Sequence, residues 1–223
     1  MVNNDTWLTL VKSGDSEAVA AALQRDLGLA NRRDENGIPA TLLALYFGHA
    51  ETARLIANHK TKLDIFEAAA LGETIQLENL LDSHPDSARS VASDGFSPLG
   101  LACFFGQVTA ARLLLAAGAD PNQPADNPTR VMPLHSAAAS TDPSAAVPLC
   151  KLLLEAGAQV NARQQGGFTA LHAAAQNGNL ELIDLLLAHG ADPGARSAAG
   201  LTASDYAAAA GHAAAAARLG NSS

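Results

Sequence analysis

The sequence predicts an all-α solenoid in which about seven short helix pairs stack side by side, joined by turns and short β-turn fingers. Three observations lead there. An offset of 58 residues lays Gly14 on Gly72, Gly37 on Gly95 and Gly48 on Gly106. Side chains repeat with the glycines, Tyr46-Phe47 returning as Phe104-Phe105 and Ala53-Arg54-Leu55-Ile56 as Ala111-Arg112-Leu113-Leu114. Composition points the same way: 48% of the 223 residues are hydrophobic but only 4% are aromatic, and alanine runs such as 207–210 and 213–217 make up the difference. Alanine has the highest helix propensity and little bulk, so helices built from it approach closely in thin layers.

Each element has its own signal. Trp7 to Leu23 reads as a helix pair around Gly14, and Gly37 to Ile56 as a second pair whose Pro39 cannot cap. Asp64 to Leu81 forms a third pair around Gly72. Gly48 and Gly72 lie only 24 residues apart, whereas Gly157 and Gly190 lie 33 apart, so a finger is expected to be missing before Asp64. Ser97-Pro98-Leu99 starts the fourth pair with a capping hydroxyl and a proline at the first helical position. Met132-Pro133-Leu134-His135 starts the fifth without a capping side chain. This unit is six residues longer than the 33-residue period. Two of the extra residues are placed in the finger Pro121 to Pro128, and four near Thr141-Asp142-Pro143-Ser144 as a bulged inter-helix turn.

The sixth pair is the clearest. Thr169 is read as an N-cap, Gly178 ends the first helix, and Leu182, Ile183, Leu185 and Leu186 have amphipathic helical spacing before Gly190. Gly200 to Leu219 supplies a short closing pair, which presents one face to water as a terminal repeat must.

The stretch Gly167-Phe168-Thr169-Ala170-Leu171-His172-Ala173-Ala174-Ala175 through Gly178 to Gly190-Ala191-Asp192 closely resembles the ankyrin repeat, and the resemblance extends over residues 5–219. It divides the single domain into a capping pair at 5–33, repeats at 34–63, 64–92, 93–124, 125–164 and 165–197, and a C-terminal cap at 198–219. Departures are Met132 and Pro39 at capping positions, Gly194 where the family usually has asparagine, and Ala40, Ala170 and Ala203 in place of the motif proline. The family match also implies structural roles for His135 and His172, bonded to a neighbouring finger, and for His49 and His212.

Little in the sequence suggests catalysis. A net charge of −8 argues against nucleic acid or an anionic membrane as partner. Neither Cys-x-x-Cys, His-x-x-x-His nor a Gly-Lys-Ser/Thr loop occurs, so no catalytic, metal or cofactor site is assigned. No basic and apolar leader is evident, and a soluble, cytoplasmic, monomeric protein is expected. Cys103 and Cys150 read as reduced and buried thiols.

The resemblance turns attention to the concave surface. The residue after each finger glycine and the two residues before each inter-helix glycine are the positions that the family varies for binding. Six of the nine aromatics, Tyr46, Phe47, Phe96, Phe104, Phe105 and Phe168, fall there. With Ile38, Val131, Gln176 and Asn177 they form the candidate surface for a protein partner, and Phe47 and Phe105 are the members expected to tuck between repeats. The rival reading is a small-molecule sensor or enzyme accessory with a pocket near the irregular repeat 125–164.

Overall fold

The computed structural model describes residues 3–220, and its helices come in seven consecutive pairs. They are α1 (Asn4–Ser13) with α2 (Ser16–Arg25), α3 (Ala40–Tyr46) with α4 (Ala50–Asn58), and α5 (Ile65–Leu71) with α6 (Thr74–Ser83). Next come α7 (Pro98–Phe104) with α8 (Val108–Ala116) and α9 (Pro133–Ala138) with α10 (Pro143–Glu155). The array ends with α11 (Ala170–Gln176) and α12 (Leu180–Ala188), then α13 (Ala203–Ala209) and α14 (Ala213–Gly220). First helices pack on first helices and second on second along the chain. One apolar core runs through the stack from Trp7 to Leu219, with alanines such as Ala53, Ala111 and Ala174 fully buried where helices meet. The protein is an all-α repeat solenoid.

The 58-residue repetition holds at the level of helix boundaries: α2, α3 and α4 map onto α6, α7 and α8 residue for residue. A 3₁₀ turn at Leu27–Asn31 likewise maps onto one at Pro85–Arg89. Between α4 and α5 only residues 59–64 remain, so no finger forms there. The outer helices α4 and α6 scarcely meet, which makes this the thinnest junction in the stack. Elsewhere fingers join to fingers: Asp126 N–H donates to Gly95 O at 2.8 Å, Gln165 N–H to Thr129 O at 2.9 Å, and Ala198 N–H to Gly166 O at 2.7 Å. A single bridge, Arg33 with Pro39, is the β character of these turns among the described residues.

The fifth unit departs from expectation. The four extra residues of the fifth unit do not bulge its turn; they add about one turn to α10, which has 13 residues against 9 in α8. Asp142 caps this helix by accepting from Ser144 N–H at 2.9 Å, and Pro143 sits at its first turn, where no N–H is missed. Thr169 sits at the N-cap of α11 as expected, its hydroxyl 2.9 Å from Nδ1 of His172, the ring that also accepts from Thr169 N–H.

The structure also buries one ion pair that sequence pattern did not reveal. Lys60, in the loop that lacks a finger, pairs with Glu67 on α5, their side chains 5% and 1% exposed. The second Glu67 oxygen accepts from Asp64 N–H at 3.1 Å while Asp64 accepts from Glu67 N–H at 2.9 Å, closing a capping box. The short loop is therefore held by charge and caps where the other junctions have a finger.

Histidines tie fingers to helices. In His135, Nδ1 accepts from Met132 N–H at 3.3 Å, so the proton sits on Nε2 and is donated to Ala162 O at 3.0 Å. His172 repeats this with Thr169 N–H at 3.1 Å and Leu201 O at 3.4 Å. Burial lowers both pKa values below 6.5. A proton on Nδ1 would also face a backbone N–H. The unfolded chain therefore takes up protons first, and stability is full above pH 6.5 but declines as pH falls from there toward the folded values. Thermal melts between pH 7.5 and 5 should show this decline, and the His135→Gln/His172→Gln double variant should show a flatter one.

Candidate functional site

The first helices and the fingers share one face of the stack, and large side chains gather on part of it. Leu42 of α3, Ala70 of α5, and Leu101 and the adjoining Phe105 of the α7 repeat form a small buried apolar cluster beside the main core. Ile38, Tyr46, Phe66, Phe96 and Phe104 pack on it while half-buried. Ala70 is small at the rung between Tyr46 and Phe104. Phe105 sits with its ring centroid 5.7 Å from Tyr46 and 5.1 Å from Phe104, edge to face with the latter. The Tyr46 hydroxyl donates to Asp94 Oδ2 at 2.7 Å, and Asp94 Oδ1 accepts from Phe96 N–H at 3.2 Å. Burial above all, with the Asp94 hydrogen bond and charge, keeps the Tyr46 phenol protonated. One carboxylate thus fixes both an aromatic on α3 and the finger that carries Phe96.

The ten residues singled out from sequence do not form one patch. Ile38, Tyr46, Phe96, Phe104 and Phe105 come together, but Phe105 is buried at 8% exposure and acts as their support. Val131 lies beside them at the edge of a cavity. Phe47 is 53% exposed, contrary to the expectation that it tucks between repeats, and Lys12 Nζ stands 5.8 Å from its ring centroid. Phe168 stacks instead with Tyr206 and His172, at centroid distances of 4.8 and 5.3 Å. Gln176 and Asn177 are exposed, the Asn177 amide donating to Ala138 O at 3.4 Å. Phe66 and Asp94 belong to the cluster but were missed. Phe66 lies outside the repeat positions considered, and Asp94 lies 48 residues from the tyrosine it binds.

Next to the aromatic cluster is a cavity of about 370 Å³, bounded by Tyr46, Phe96 and Phe104 on one side and by Val131, Ser136 and Ala139 of the α9 repeat on the other. Gln164 and Ala173 complete its far wall. Its walls are mainly apolar, and it is half open to solvent.

The reactive groups lie elsewhere. Cys103 and Cys150 are free, buried thiols; burial pushes Cys103 well above its usual pKa and Cys150 up to about 12. Thiolate is the reactive form. Native protein should therefore label slowly at both sites with a thiol reagent at pH 8 and fully after denaturation; rapid native labelling of both would contradict their burial. Among the described residues no group of His, Cys, Asp and Glu could hold a metal ion, and no helix is long and apolar enough to cross a membrane.

A stack of helix pairs with finger-linked first helices and one aromatic-rich inner face defines a helical repeat protein. A family model described as ankyrin repeats, in three copies, matches residues 7–125, 65–164 and 134–222. The chain belongs to the ankyrin-repeat family. It is similar to the human (Homo sapiens) Neurogenic locus notch homolog protein 4, with 42% identity over 120 residues. That alignment covers 53% of this chain and 6% of the notch homologue, so it concerns a small part of the relative.

Proposed function

We propose that this chain is a non-enzymatic protein-interaction module that holds a partner on its concave face, with its anchor residues on the N-terminal and central repeats. The observation that carries this reading is the separate apolar cluster on the inner face. Phe96 and Phe104 lie over buried Leu101 and Phe105 but remain partly exposed, and Tyr46 is locked in place by Asp94. Preformed aromatics bind with little loss of rotamer freedom, and truncating such an anchor typically costs about 2 kcal/mol or more of affinity. Ankyrin repeats generally serve as protein-protein interaction modules, which agrees with it. Phe168, Gln176 and Asn177 are assigned to a more polar extension of the same face. The domain boundaries at 5–33, 34–63, 64–92, 93–124, 125–164, 165–197 and 198–219 belong to this proposal, as do a cytoplasmic, monomeric state and the exclusion of nucleic acid, membrane, metal and cofactor.

The test is affinity capture with the wild type, Phe104→Ser on the inner face and Ile75→Ser on the exposed side of α6. Partners retained by wild type and Ile75→Ser but lost by Phe104→Ser support the reading; equal loss in both variants, or in neither, overturns it. The cavity beside repeat 125–164 is what favours the rival, a small-molecule sensor or enzyme accessory. Its open mouth weighs against that rival, since small-ligand sites usually enclose about 70–90% of their ligand.

A further inference from the structure

The cavity on the inner face exists because side chains shrink along two rungs of the repeat ladder at once. At the rung just before the inter-helix turn, Tyr46 and Phe104 give way to Ala139 in the next repeat. On the adjacent rung, Leu101 of α7 is followed by Ser136 of α9 and Ala173 of α11. Aromatic bulk stops at Phe104, and about 370 Å³ is left beyond it.

Ser136 lines this space, and its hydroxyl makes no hydrogen bond to the described residues but is open to the solvent of the cavity. Gln164, on the finger opposite, brings a carboxamide that is likewise unpaired there. Both groups reach the solvent of the cavity and are free to bond a polar atom of an occupant that displaces that water. The remaining polar groups are already engaged: Tyr46 donates to Asp94, both ring nitrogens of His135 are bonded, and the Thr169 hydroxyl engages His172. Among the described residues no Lys, Arg, Asp or Glu borders the cavity. A charged ligand would lose water against apolar walls with no counter-charge.

Resting on the protein-binding reading, we propose that this cavity receives a neutral aromatic side chain of a bound polypeptide, with one polar group of that ring meeting Ser136 or Gln164. Tyrosine and tryptophan have this chemistry, an apolar ring with one hydrogen-bonding atom. The half-open mouth favours a side chain over a free molecule, because the exposed side of the ring is where a main chain continues along the groove.

The test uses a phage-displayed library of random 12-residue peptides selected against the wild-type protein. p-Cresol is titrated in parallel, followed by the methyl NMR signals of Ala139 and Ala173. Selected peptides should share a tyrosine or tryptophan and should shift those methyl signals. Ala139→Phe, which extends the aromatic ladder into the cavity, should weaken the peptides at least tenfold and abolish the p-cresol shifts. If Ala139→Phe disturbs the fold, Ala173→Leu fills the opposite wall and should do the same. Ser136→Ala should weaken tyrosine peptides several-fold and leave their phenylalanine counterparts unchanged. Peptides that bind the inner face yet lack an aromatic, or that bind both filled variants as tightly as wild type, would overturn this occupant while leaving the binding face intact. Saturation by p-cresol with no peptide selected would identify a free small-ring ligand, overturning the peptide occupant and opposing the protein-binding reading.

Discussion

Replacing Lys60 by methionine should destabilise the protein by about 3–5 kcal/mol, because it strands the carboxylate of Glu67 in a site from which water is excluded. The pair sits where the fingerless loop joins α4 to α5, the junction at which the outer helices give least support. The Lys60→Met/Glu67→Gln double variant should recover most of the loss. Glutamine has no charge to strand and can still accept from Asp64 N–H, keeping that half of the capping box. Urea unfolding of the two variants beside wild type measures the difference; equal destabilisation of both would mean that charge burial is not the cause.

Gly95→Ala is the second large effect, expected at about 2–4 kcal/mol. The residue has φ +88°, a left-handed conformation that costs an L-residue about 1–2 kcal/mol. A Cβ there would also stand 2.5 Å from the backbone oxygen of Asp126, whose N–H bonds to Gly95 O, so the finger contact between repeats must shift. Gly190 provides the control. Its φ is +83°, and an added Cβ would meet nothing within 4 Å, so Gly190→Ala should cost only the backbone strain, about 1–2 kcal/mol. Equal melting of the two variants would show that finger-to-finger contacts carry no coupling.

The helix pairs were legible because stacking forces each repeat to place glycine, alanine and leucine at fixed positions, and α2 to α4 reproduce themselves as α6 to α8 at a constant offset. Length alone could not show how the fifth unit spends its extra residues. Asp142 and Pro143 look like turn signals, yet an aspartate cap followed by proline is also how a helix begins, and α10 begins there. The aromatic face was legible only in part. Position in the repeat found Tyr46, Phe96 and Phe104, but it could not separate Phe105, which points into the stack, from Phe47, which points out. Phe168 was drawn to Tyr206 of the following repeat, a contact across 38 residues that no local pattern encodes. The Tyr46–Asp94 and Lys60–Glu67 pairs depend on loops closing in three dimensions, so neither was visible in the sequence.

A partner is expected to bind on the aromatic inner face. Hydrogen exchange on the protein alone and with a captured partner bound tests it most directly. Added protection is expected in segments 38–46, 94–104 and 131–139, with the outer helices α4, α6 and α8 unchanged. Protection confined to those outer helices, with the inner segments exchanging as before, would contradict it.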